Sequence, residues 1–355
     1  MTRPLREQVV VVTGASSGVG RALARAFGRE RSRVGLIART REALENAARE
    51  VRAAGGEALV LPLDVADAGA VERAADEVAA RWGRIDTWVN DAMVSVFSPV
   101  RETTPEEYRR VSEVNYLGTV YGTRAALRHM RAAGEGTIVQ IGSALAYRSI
   151  PLQSAYCASK AAIRAFTDSL RCELAHEKSR VRVTMLQLPA VNTPQFDVVR
   201  SRLPRQPKPV PPIYQPEVIA QAVLRAARRP PRELWLAFSA IKAIVGQRVV
   251  PGLLDRYLGR VGYDAQQTDE PVAPGRPDNV FAPLPGDRGA HGRFDGVARR
   301  RSLEVLARLH ARSLGVQRVS ISRRCTRCDN DRFFSHRAGD AGRQVSVIVA
   351  TPVRG

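Results

Sequence analysis

The sequence predicts an α/β fold built on a doubly wound, mostly parallel sheet. Three observations predict it. Residues 8–13 form a nearly pure valine run, as a central parallel strand buried on both faces requires. A glycine-rich turn and a helical pattern follow it directly. Short apolar runs then alternate with amphipathic helical stretches through short connections for most of the chain.

The first strand leads into Thr13-Gly14-Ala15-Ser16-Ser17-Gly18-Val19-Gly20 and a helix to about residue 30. Glycines let the backbone approach a pyrophosphate closely, and the amides at the helix start complement its charge. The bland alternative is a plain glycine-rich turn; the flanking strand and helix favour the phosphate site. Residues 34–38 are the second strand, with Arg39 at its C-terminal end. An acid there would accept from an adenosine ribose 2′-OH and select NAD(H), whereas an arginine suits a 2′-phosphate and NADP(H). The competing reading is a surface arginine in an arginine-rich chain. A helix over 41–54, a strand over 58–61, a helix over 67–82 and a strand over 85–90 continue the alternation. A long helix is expected over 105–133, a strand over 137–141, and a helix running on to 176. Residues 181–187 are a sixth strand, 216–229 a helix and 233–238 a last strand. Residues 241–261 repeat apolar positions at helical spacing, suited to a dimer interface, a substrate cleft or peripheral contact with a membrane surface.

The stretch 141–160 carries the chemistry. Tyr156 and Lys160 are four residues apart in a helical pattern, so their side chains share one face. A phenol is a poor acid, with an ordinary pKa of about 10, and a nearby ammonium is expected to lower it. Ser143, just after a buried strand, offers a hydroxyl to a carbonyl or to the alkoxide formed from it. Taken alone, Tyr-x-x-x-Lys is a weak signal, because such pairs are common on exposed helices.

TGASSGVG at residues 13–20, with YCASK at 156–160 (YCASK beginning at Tyr156), resembles the short-chain dehydrogenase/reductase family over residues 5–260. The resemblance implies a Rossmann fold and hydride transfer between a nicotinamide cofactor and a carbonyl or alcohol. It implies that Ser143, Tyr156, Lys160 and Asn115 are catalytic, Asn115 holding a water linked to the lysine. It further implies that Gly14, Ser16, Ser17, Gly18, Val19, Gly20, Arg39, Asp64, Val65, Asn90, Tyr156, Lys160 and Thr193 bind the cofactor, with Asp64-Val65 against the adenine. The family's basic residue at the place of Arg39 goes with NADP(H). Two places depart from the pattern. Asp91 and Met93 stand in a motif that is usually Asn-Asn-Ala-Gly, and Leu188-Pro189 replace a Pro-Gly pair before Asn192-Thr193-Pro194. Both raise the alternative of a module that binds NADP(H) without turnover.

Composition sets the limits. The chain has 355 residues, 44% of them apolar, and a formal charge of +20. Only four of its 55 basic residues are lysines, and residues 299–355 hold 13 arginines against four acids. No nucleic-acid-binding signature accompanies the charge, so no specific nucleic-acid partner is expected. No apolar run is long enough to cross a membrane, the start leaves no room for a signal peptide, and four cysteines suggest no disulfide framework. The expectation is a cytoplasmic, homo-oligomeric enzyme acting on a small carbonyl or alcohol.

Residues 1–262 read as the catalytic domain, and the proline-rich, mobile-looking stretch 196–214 lies where the resemblance implies a substrate lid. Residues 263–301, rich in Pro, Gly and Asp without periodicity, read as a poorly ordered linker. Residues 302–355 form a basic fragment similar to the C-terminal end of the laccase-domain (polyphenol oxidase-like) family. That family's metal-binding positions lie in parts absent here. Cys325-x-x-Cys328 with His310 and His336 is a weaker zinc reading, and no metal site is expected.

Overall fold

The computed structural model describes residues 3–302. Seven parallel strands form the central sheet: β1 (Val9–Thr13), β2 (Arg33–Ala38), β3 (Glu57–Pro62), β4 (Thr87–Asn90), β5 (Gly136–Ser143), β6 (Val181–Leu188) and β7 (Glu233–Trp235). Their spatial order is β7-β6-β5-β4-β1-β2-β3. The order reverses between β1 and β4, opening a crevice at the carboxyl ends of the strands where ligands of such folds bind. β1 is fully buried, as its valine run requires.

Helices cover both faces. α1 (Gly18–Arg29) packs against α2 (Arg41–Ala53), while α3 (Ala68–Trp82) packs against the later helix of residues 118–133. The start of α3 is set by Asp67, whose carboxylate accepts from the Ala70 amide at 2.9 Å, and its end by Gly83 in a left-handed conformation. The expected long helix over 105–133 is one path in three pieces. α4 (Pro105–Val111) opens with a capping box between Thr104 and Glu107, a π-helical turn spans Ser112–Leu117, and α5 is Gly118–Ala133. α6 (Ser154–His176) packs along β5 and β6.

The lid region is more regular than its prolines suggest. α7 (Gln195–Val198) is a single turn, Arg200–Ser201 pairs with Val96–Phe97, and Arg205–Pro207 pairs with Gln267–Pro271. The buried Glu107 carboxylate receives Arg200 at 3.2 Å and Arg202 at 2.8 Å, tying the lid to α4. α8 (Pro216–Arg228) joins α1 on one face of the sheet. The helical spacing over 241–261 resolves into α9 (Phe238–Val249) and α10 (Pro251–Val261), divided at Pro251, whose ring cannot continue α9.

The expected boundary near 262 and the linker over 263–301 are corrected. The described residues of this segment, up to Ser302, belong to the same compact unit as the sheet. Val280 is fully buried within the main apolar core, and Phe294 stacks edge-on against Phe196 at 6.0 Å. The segment has little periodicity because backbone carbonyls, turns and single anchors hold it, not a repeating face. The laccase-like fragment and the Cys325, Cys328, His310 and His336 positions lie outside the described residues. No described helix is long and apolar enough to cross a membrane.

Candidate active site

A groove of about 530 Å³ runs along the carboxyl edge of the sheet. One end is lined by Gly14, Ser16, Ser17, Gly18, Val19, Arg39, Asp64 and Val65. Ser143, Tyr156, Lys160 and Thr193 line its middle. Ile150, Ala240, Ala243, Tyr257, Leu258 and Val261 give the far end an apolar wall from the loop before α6 and from α9 and α10.

The glycine-rich turn is built by close approach. Gly14 has φ of +74°, and a Cβ there would stand 3.0 Å from the Ala92 backbone. A Cβ on Gly20 would stand 2.2 Å from the Gly14 carbonyl oxygen, so this glycine lets α1 fold against its own turn. The Thr13 hydroxyl accepts from the amides of Asp91 at 3.0 Å and Ala92 at 3.1 Å, fixing the turn to the loop after β4.

Tyr156 and Lys160 project from α6, one turn apart, and Ser143 closes β5 beside them. The Lys160 ammonium donates to the Ile141 carbonyl at 2.7 Å and lies 5.6 Å from the Tyr156 ring centre. The Ser143 hydroxyl acts on the Tyr156 phenol and favours its ionised form. Burial pushes the phenol above its ordinary value, outweighing the effect of Ser143. The expectation of a lowered phenol is therefore not what this geometry produces. Burial also lowers Lys160, while the Asp91 carboxylate opposes that shift. Asp91 in turn is raised by burial, against the pull of Lys160 and a hydrogen bond from the Gly20 amide.

Arg39 stands at the opposite end. Its Nη2 donates to the Asn279 carbonyl at 2.7 Å, while Nη1 is buried with no hydrogen-bond partner among the described residues. Burial lowers its proton affinity, Asp64 raises it and Arg110 lowers it. Asp64 is ion-paired with Arg110 and accepts from the Ala66 amide at 3.0 Å. An unpaired guanidinium nitrogen in a groove is fitted to receive an anion.

Three residues picked from the sequence stand behind the groove wall. Gly20 acts through packing, as above. Asn90 is turned inward: its Oδ1 accepts from Trp88 at 2.8 Å, and its Nδ2 donates to Gln140 at 2.9 Å and Thr123 at 3.2 Å. The fully buried Asn115 side chain accepts from the Val94 amide at 2.8 Å and donates to the Val94 carbonyl and Ser159 hydroxyl, both at 3.0 Å. It pins the loop after β4 to α6 one residue before Lys160. The residues that sequence reasoning missed are Asn279, Pro283, Leu284, Gly286 and Arg288, which line the groove from the segment read as a linker. Their signal was faint: a run of Pro, Gly and Asp reads equally as turns.

A parallel sheet of this order, with a glycine-rich turn at its crossover and a groove along its carboxyl edge, defines a nucleotide-binding protein of the Rossmann type. The chain belongs to the short-chain dehydrogenase/reductase family and is an oxidoreductase of that class. The family model for short chain dehydrogenase matches residues 8–203. An uncharacterized oxidoreductase, YxnA of Bacillus subtilis, is 35% identical over 274 residues, covering 77% of each chain. Human dehydrogenase/reductase SDR family member 7 is 42% identical over 175 residues, 48% of this chain and 52% of that protein. A metagenomic short-chain oxidoreductase, solved in complex with NADP, is 32% identical with a TM-score of 0.55, covering 65% of this chain and 96% of its own. An alcohol dehydrogenase from the archaeon Thermococcus sibiricus, complexed with 5-hydroxy-NADP, is 32% identical with a TM-score of 0.56, covering 64% and 95%. A second family model, for multi-copper polyphenol oxidoreductase laccase, matches residues 290–351.

Proposed function

We propose that the protein interconverts a carbonyl and an alcohol with NADP(H). The observation that carries this reading is one groove with Ser143, Tyr156 and Lys160 in its middle and the unpaired Nη1 of Arg39 at its end. The residues present fit the dinucleotide: Gly14, Ser16, Ser17 and Gly18 line the groove at the helix start, and Arg39 offers a buried, unused donor. The NADP and 5-hydroxy-NADP bound in the two solved relatives support the same choice.

When bound, the nicotinamide supplies the hydride in reduction and takes it in oxidation. The Ser143 hydroxyl donates to the substrate carbonyl oxygen and holds it beside the phenol. Tyr156 gives that oxygen its proton in reduction and recovers it in oxidation. Its raised pKa keeps the phenol protonated at neutral pH, the form needed for reduction. Lys160 holds positive charge beneath the ring and would hold the nicotinamide ribose. Asn115 acts by position, fixing the loop after β4 and, with Ser159, the turn of α6 that bears the lysine. The apolar far end, walled by Ala243, Leu258 and Val261, selects an apolar substituent on the carbonyl.

The test is NADPH consumption with a panel of aldehydes and ketones of increasing apolar size. Parent-like turnover by Tyr156→Phe would sink the assignment. The half-buried Asp91, whose charge acts on Lys160, favours a second reading, a module that binds NADP(H) without turnover. Calorimetric NADPH binding with no consumption across the panel would select it.

A further inference from the structure

We infer that residues 276–299 form a strap closing the cofactor groove, and that Arg288 on this strap binds the phosphates of the dinucleotide. This rests on reading the groove as a dinucleotide site.

The path of the strap is defined by its anchors. It leaves the lid where Arg276 donates to the Phe196 carbonyl at 3.1 Å and Asp278 receives Arg200 at 2.7 Å. It crosses to the Arg39 end, where the Asn279 carbonyl takes Arg39 and the Val280 carbonyl takes Arg110 at 2.9 Å. It then runs to α1 and α2. Asp287 is held there by Arg21 at 3.1 Å and Asn46 at 2.7 Å, and Arg21 is itself 1% exposed. Next the Gly289 carbonyl accepts the Gly18 amide at 3.0 Å. Finally the strap reaches the loop after β6. A Cβ on Gly292 would stand 2.4 Å from the Thr193 carbonyl oxygen, and Asp295 receives Asn192 at 2.7 Å.

The strap thus bridges both banks of the groove, from the Arg39 bank to the Thr193 bank, and crosses at the glycine-rich turn. Arg288 lies at that crossing, between Asp287 on its anchors and Gly289 on Gly18. Its side chain lines the groove, and among the described residues no hydrogen bond or ion pair holds its guanidinium. Its charge reaches Asp197 on α7, next to the loop carrying Thr193. A cation placed between the helix start and Thr193, free to bond, serves the pyrophosphate. Arg39, at the end of β2, serves the 2′-phosphate. The two arginines therefore separate by cofactor: the pyrophosphate is common to NAD(H) and NADP(H), and the 2′-phosphate is not.

The experiment measures dissociation constants for NADP+ and NAD+ by calorimetry on the full chain and its variants. Arg288→Ala is expected to weaken both cofactors by roughly tenfold, leaving their ratio unchanged, with an unfolding midpoint matching the parent without ligand. Arg39→Ala is expected to weaken NADP+ alone. Arg288→Lys, which keeps the charge, is expected to recover most of the loss. Unchanged binding in Arg288→Ala, a loss confined to NADP+, or no recovery with lysine would each overturn the assignment. A parent that binds NADP+ well while Arg288→Ala binds equally well overturns only this inference; a parent that binds neither cofactor overturns the proposed function as well.

Discussion

Asp91 raises the proton affinity of Lys160 at the floor of the groove, and Lys160 lowers that of Asp91. Lys160 is buried and Asp91 half-buried, so the carboxylate offsets part of what burial costs the ammonium. Among the described residues, Asp91 is the named charge that supports the ammonium form of Lys160 against burial.

The first prediction concerns pH. The ordinary Lys160 value is lowered in the fold, so activity that needs the ammonium is retained at low pH and lost as pH rises through the lowered value. Asp91→Asn removes the opposing charge, so this alkaline limb moves further down, by about one pH unit. A kcat/KM profile for the parent and the variant reads the limb directly. A limb that stays put or moves up shows that Asp91 does not support the lysine.

Gly20→Ala tests the close approach within the phosphate turn. The added Cβ would stand 2.2 Å from the Gly14 carbonyl oxygen, and that oxygen belongs to backbone with no room to move freely. We expect a stability loss of about 1–3 kcal/mol by urea unfolding, with weakened NADPH binding. A variant that keeps both parent values means the turn and α1 are looser than described.

Much of this site was legible because periodic and local signals encode it. The valine run of β1 and the turn from Gly14 to Gly20 follow from backbone chemistry written in contiguous residues. Tyr156 and Lys160 share a face because the helical period places them there. The influence of Asp91 on Lys160 was not legible: only the fold brings the loop after β4 towards α6. The family motif that Asn90 matches assigns it to the cofactor; its side-chain amide is engaged by Trp88, Gln140 and Thr123. The strap was hidden for a further reason. Asn279 and Gly289 act through main-chain carbonyls, which every residue possesses, so no side-chain pattern announces them.

Acid stability depends on Glu50. Burial alone would raise its carboxyl, but hydrogen bonds from Arg25 and Arg21 outweigh that and hold it down, to about 2. A depressed carboxylate contributes stability above its unfolded value near 4.5, and that contribution is lost as pH falls through about 2. Glu50 is one-third exposed, so screening limits the effect to about 1 kcal/mol. Glu50→Gln should therefore be less stable than the parent at pH 7, with the two converging near pH 2. Urea unfolding across that range checks it, and a constant gap at every pH excludes the ion pair as its source.

The strap should also contribute to the stability of the whole domain. Val280 is fully buried and packs in the same core cluster as Val111, Val114 and Ile138, more than a hundred residues earlier in the chain. A residue in a solvated linker could be truncated without effect. A residue in a packed core loses its transfer free energy and leaves a cavity, so Val280→Ala should cost about 2 kcal/mol. Urea unfolding followed by both far-ultraviolet dichroism and tryptophan fluorescence measures it. We expect one transition in both signals, displaced to lower urea, because the strap and the sheet share one core. An unmoved midpoint would mean that the strap is detached from the core in solution.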